Sequence, residues 1–211
     1  RNMEGPIIPR PLPFHTRLMA IIDILYAVVF GFVLSQLYTN ITSTSEELTT
    51  SAKIASVILQ VGVFYLILWD WIQGMVLTEQ NPYIDYARFF QEIVIAFSAF
   101  GALYFASKNS IYLLLFVAFM LFMGSRWCEK TRIEYEDGPD EALLILSSAA
   151  NLSIAALAVM YFLLHWRMYG FDQKIETGIA FVMLVLFYIA VAIHETLMLE
   201  LAPQDRWIPP G

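Results

Sequence analysis

The stretch RLMAIIDILYAVVFGFVLSQL, Arg17 to Leu37, decides the class of this chain. It is long enough to cross a bilayer as a single helix, for which about 20 residues are needed. It also places Arg17 at its mouth and a carboxylate, Asp23, inside. A charged side chain at the centre of a membrane helix costs about 2.5–3.5 kcal/mol on the insertion scale, so Asp23 is expected to be buried in a bundle, facing a polar group or a water-filled path. Arg17 and Asp23 are separated by about 9 Å of helical rise, too far for a direct pair. Each is therefore expected to meet a group on a neighbouring helix.

Five further apolar runs follow, at about 52–77, 86–107, 111–127, 142–166 and 175–201. The expected fold is an all-α integral membrane bundle of six transmembrane helices over 17–201. A proline-rich N-terminal tail, 1–16, precedes it and a C-terminal tail, 202–211, follows. The prolines at 6, 9, 11 and 13 favour extended backbone and stand where a signal peptide needs an apolar run, so the first helix is expected to remain in the mature chain. With 59% hydrophobic and 15% charged residues and a mean hydropathy of +0.63, the chain is more apolar and less charged than soluble domains.

The net charge is −7 and the 12 Lys and Arg are scattered, which excludes a nucleic-acid partner. The single cysteine, Cys128, cannot form an internal disulfide. No His-Glu-x-x-His, cysteine pair, phosphate-cradling glycine loop or serine elbow occurs, so no catalytic, cofactor or metal site is expected.

Polar residues inside the apolar runs are the candidates for function: Gln60 in the second, Glu92 in the third and His194 in the sixth, the last able to titrate near neutral pH. Arg88 and Glu92 stand at i, i+4 and are expected to pair. Asp70 lies between Trp69 and Trp71, a pattern suited to a membrane interface. The segment RWCEKTRIEYEDGPDE, residues 126–141, reads as a solvated loop, basic first and acidic afterwards. The small residues of the fifth run, among them Ser147, Ala149, Ser153 and Ala156, favour close contact with another helix or subunit. With six spans, Arg1, Arg10, Arg17, Arg88, Arg126, Lys130, Arg132 and Arg206 fall on the side of the termini. Lys53, Lys108, Arg167 and Lys174 fall opposite, so both termini are expected in the cytoplasm.

The order Arg17-x-x-Ala20-x-x-Asp23-x-x-x-Ala27 resembles the first-helix signature of the transmembrane protein 175 family, cation channels of endolysosomes and prokaryotes. Ile21 and Ile22 stand where members carry Phe and Ser. Val61, Gly62 and Phe64 are similar to the family's second-helix Val-Gly-x-Phe pattern, and Asp23-Ile24-Leu25-Tyr26 weakly resembles the Asp-Leu-Val-Phe of the low-temperature-requirement A family. The first resemblance implies four copies around an axis, with the first helix lining a potassium-type path. Val28 falls at its apolar gate, and Phe32 and Ser35 lie deeper on the same face. The expected function is an oligomeric cation channel in a lipid bilayer. The alternative is an accessory or scaffolding subunit of a larger membrane complex.

Overall fold

The computed structural model describes residues 10–42, 50–136, 138–170 and 174–201. The tail residues 1–9 and 202–211 and the acidic position 137 lie outside the described residues, as does most of the hydroxyl-rich stretch after the first run, 43–49. The architecture is all-α: α1 (His15–Thr42), α2 (Thr50–Gln80), α3 (Ala87–Ser107), α4 (Leu113–Glu134), α5 (Glu141–Tyr169) and α6 (Thr177–Leu201). Five of these, all but α4, are long and apolar enough to cross a membrane. α4 packs between α3 and α5. The chain is a multi-pass membrane protein.

The helices are apolar nearly all round, as expected where lipid replaces water on the outer face. What fixes each helix's rotation is a stripe of buried residues at helical spacing. On α1 these are Leu18, Ile22, Tyr26, Val29 and Val33. α3 is central and packs against α1, α2 and α4, while α6 packs mainly on α2 and touches α5 little. Close approach needs glycine at two crossings. A Cβ on Gly62 of α2 would stand 3.1 Å from Phe187 of α6, and one on Gly101 of α3 would stand 2.2 Å from the Phe116 ring of α4.

The turn 108–110 makes the tight α3–α4 hairpin expected of it. Asn109 takes the left-handed conformation at φ 55°, and its carbonyl accepts from Ile175 N at 3.0 Å, tying this turn to the start of α6. At the other end of the bundle, Leu12 N donates to Tyr83 O at 2.7 Å, so the last residues of the N-terminal tail lie against the α2–α3 connection.

One sequence expectation is corrected here. Residues 126–134 do not form a loop but the last turns of α4. Trp127, Cys128 and Thr131 recur at helical spacing and are buried, while Lys130 and Glu134 pair at i, i+4 across 3.2 Å. The charges that read as loop are the polar end of α4.

Candidate functional site

The N-termini of α1, α3 and α5 and the C-termini of α2, α4 and α6 share one end of the bundle, and the polar side chains gather there. Arg88, on the first turn of α3, is completely buried at 0% exposure. Its guanidinium meets Glu134 of α4 at 2.6 Å and donates to the carbonyls of Asn81 and Pro82 and to Thr131 Oγ1. The rings of Tyr83, Trp127 and Tyr135 stand 5.3–5.6 Å from its Cζ. A buried cation needs this degree of pairing, because its desolvation penalty amounts to several kcal/mol.

The expected Arg88–Glu92 pair is therefore not formed. Glu92 instead accepts from Tyr83 Oη at 2.6 Å, Trp127 Nε1 at 2.7 Å and Thr78 Oγ1 at 3.3 Å. Burial, and then the charge of Glu92 beside it, hold the Tyr83 phenol far above its ordinary range, so it remains the donor of that bond. Asp85, in the α2–α3 connection, would be raised by burial, but hydrogen bonds from Lys130 and from Ala87 N hold its carboxyl below the usual carboxylate range.

Glu92 lines a small cleft of about 50 Å³ between α1, α2, α3, α4 and α5. Asp70 of α2 also lines it, accepting from Tyr26 Oη of α1 at 3.0 Å. Asp23 stands at the rim and accepts from Trp71 Nε1 of α2 at 3.2 Å. The sequence led us to expect Asp23 to be buried and to meet a polar group on another helix. The second half is what the structure has, but the residue is exposed, because the stripe of Leu18, Ile22 and Tyr26 turns the neighbouring face of α1 outward. Asp70, which read as an interfacial residue, is a cleft residue ten positions before the end of α2, about 15 Å deep.

His194 lies one layer away. Its Nε2 is 2.9 Å from Ser147 Oγ and 3.2 Å from Gln73 Nε2, and Gln73 also lines the cleft. Gln60 belongs elsewhere: it is buried near the opposite end of the bundle, donating to Ser56, which in turn donates to the carbonyls of Ala106 and Ser107. Cys128 is a buried free thiol on the cleft wall.

The remaining sequence candidates lie on the outer face of α1. Arg17, Ala27, Val28 and Ser35 are all exposed, Val28 at 62%. Phe32 is half-buried, its ring 4.5 Å from that of Phe100 on α3, so it packs within its own chain. Sequence reasoning missed Tyr26, Tyr83, Trp127 and the Arg88–Glu134 pair. The one available signal was an arginine and two aromatic donors within a turn or two of intramembrane acids. Among the described residues no three His, Cys, Asp or Glu side chains converge to hold a metal ion. No family model, curated protein or solved structure compared with this chain matches it.

Proposed function

We propose that the protein is an oligomeric cation channel whose copies meet through α1. The observation that carries this reading is the outward face of that helix, where Ala27, Gly31 and Ser35 recur every fourth residue, all exposed and flanked by Val28. Small residues at this spacing let membrane helices approach closely. Among the described residues, nothing outside the helix itself lies within 4 Å of a Cβ placed on Gly31. The polar cleft of one chain ends at Asp70 and Asn151, and beyond it α2 presents buried Val63, Leu66 and Ile67. A route across the layer is accordingly built between copies, four by the resemblance of the α1 signature, and not through one.

Val28 and Ser35 are seven residues apart and share a face, whereas Asp23 lies about 140° around the helix from Val28. Val28 then forms the apolar constriction, which gates by dewetting, and Asp23 sits on the flank toward α2. Selection among cations is weak, since no carbonyl-filter sequence of the Thr-Val-Gly-Tyr-Gly kind is present. The excess of basic residues on that side supports a cytoplasmic position for the end bearing the cleft and for both termini.

The test is the mass of the purified protein in detergent together with potassium flux into liposomes that contain it. A homo-oligomer that passes potassium is expected. A single copy held in a complex with a larger partner, with no flux alone, overturns the channel reading in favour of an accessory subunit.

A further inference from the structure

A groove of about 780 Å³ runs along the outer face of α4 and α5, within the range of about 300–1,000 Å³ usual for ligand sites. Ala118 of α4 and Ala155 of α5, both buried, form its floor. Exposed Phe119 and Phe122 wall it on the α4 side, and exposed Met160 and Leu164 on the α5 side. Small residues between bulky ones leave the hollow. Along α5 the lining recurs as Leu152, Ala156, Val159, Leu163 and Arg167, the spacing of one helical face.

Every described lining residue is apolar except Arg167. It stands in the last turn of α5, is exposed, and among the described residues takes part in no ion pair. Trp166 and Tyr169 beside it are exposed as well. Such rings gather where hydrocarbon meets headgroups, which sets Arg167 at headgroup level. From Arg167 to Leu152 the groove covers about 22 Å of helical rise, so a chain held at the arginine reaches past the middle of a hydrocarbon core about 30 Å thick. A guanidinium takes phosphate oxygens through paired N–H donors. One cation at interface depth, heading an apolar track, matches a phosphate joined to a hydrocarbon chain.

We propose that this groove holds an anionic phospholipid, its phosphate on Arg167 and one acyl chain along the floor between α4 and α5. Among the described residues α1 packs on neither of these helices, so the site is complete within one chain and does not depend on assembly through α1.

Dioleoyl phosphatidylglycerol and its zwitterionic counterpart, dioleoyl phosphatidylcholine, are the probes. The purified protein is equilibrated with mixed detergent micelles containing equal amounts of the two, and the lipid it retains is counted by native mass spectrometry. Wild type should retain phosphatidylglycerol about fivefold over phosphatidylcholine, the effect of one arginine near an anionic headgroup. Arg167→Gln should bring the two to parity. Arg126→Gln, which removes an exposed arginine of α4 outside the groove, should leave the preference as it is. Ala156→Trp fills the groove from an exposed position and should lower retention of both lipids severalfold. Equal retention of the two lipids by wild type overturns the proposal. So does a preference that survives Arg167→Gln or falls as far in Arg126→Gln, and so does full retention in Ala156→Trp. The readout needs no flux, so its failure is distinguishable from failure of the channel reading.

Discussion

Trp71 on α2 donates its indole N–H to Asp23 on α1 across 3.2 Å. The preceding residue, Asp70, accepts from Tyr26, one turn along α1, across 3.0 Å. Two consecutive residues of α2 thus bind two residues of α1 at i, i+3. This fixes the rotation of α1 and decides which of its faces is left open.

Replacement of Asp23 should show what that contact contributes. Asp23→Asn keeps an acceptor for Trp71 and should melt close to wild type. Asp23→Leu leaves the indole N–H unpaired in an apolar setting, a cost of about 1–3 kcal/mol, and frees α1 to rotate. Thermal melting in detergent, compared with the oligomeric state of each variant, checks this. A wild-type melt and assembly for Asp23→Leu would contradict it.

Arg88 is the most sensitive single position. Arg88→Ala leaves the buried Glu134 carboxylate with Lys130 as its remaining partner and should cost up to about 3–5 kcal/mol, whereas the double replacement Arg88→Met with Glu134→Met removes both charges and should cost less. Melting temperatures of the two variants give the order. The reverse order would mean that the pair contributes through something other than mutual compensation.

The number of helices was legible because apolar runs of membrane length are hard to mistake, and the hairpin at 108–110 because three residues allow nothing else. The end of α4 was not. Arg126, Glu129, Lys130 and Arg132 look like loop until one sees that Trp127, Cys128 and Thr131 face inward between them. The cleft was legible only as isolated acids. Asp23 and Glu92 stood out as charges inside apolar runs, but Asp70 read as interfacial because tryptophans flank it, and sequence spacing does not reveal that Tyr26 comes from another helix to meet it. The Arg88–Glu92 expectation failed because an i, i+4 spacing permits contact without requiring it. Glu134, 46 positions later, offers the arginine a geometry that Glu92, bonded to Tyr83, Trp127 and Thr78, does not.

Acid should loosen the tie between the α2–α3 connection and α4. Asp85 and Lys130 are 2.9 Å apart, and the Asp85 carboxyl is held below its ordinary value. A depressed carboxyl stabilises the fold fully above its unfolded pKa and loses that contribution as pH falls through the folded one. The loss belongs below pH ~4 and is small, about 0.2–1 kcal/mol for a partly exposed pair. Melting followed from pH 7 downward should fall less steeply for Asp85→Asn than for wild type, and identical slopes would contradict the assignment.

Two glycines should respond in opposite ways. Gly101→Ala drives a methyl group into the Phe116 ring and should destabilise the single chain by about 1–3 kcal/mol. At Gly31 a Cβ meets nothing among the described residues of its own chain, so Gly31→Leu should leave melting unchanged or slightly raised, while abolishing association between copies. Mass measurement in detergent separates these outcomes. A Gly31→Leu protein that assembles as wild type would mean that copies do not meet on this face.

The most direct measurement of the central claim is potassium flux through liposomes carrying wild type, Val28→Ala and Val28→Trp at matched protein content. If α1 lines the path with Val28 at its narrowest point, Val28→Ala conducts more than wild type and Val28→Trp less, with no change in expression or assembly. Equal flux in all three, or none in any, would contradict a cation path along this face of α1.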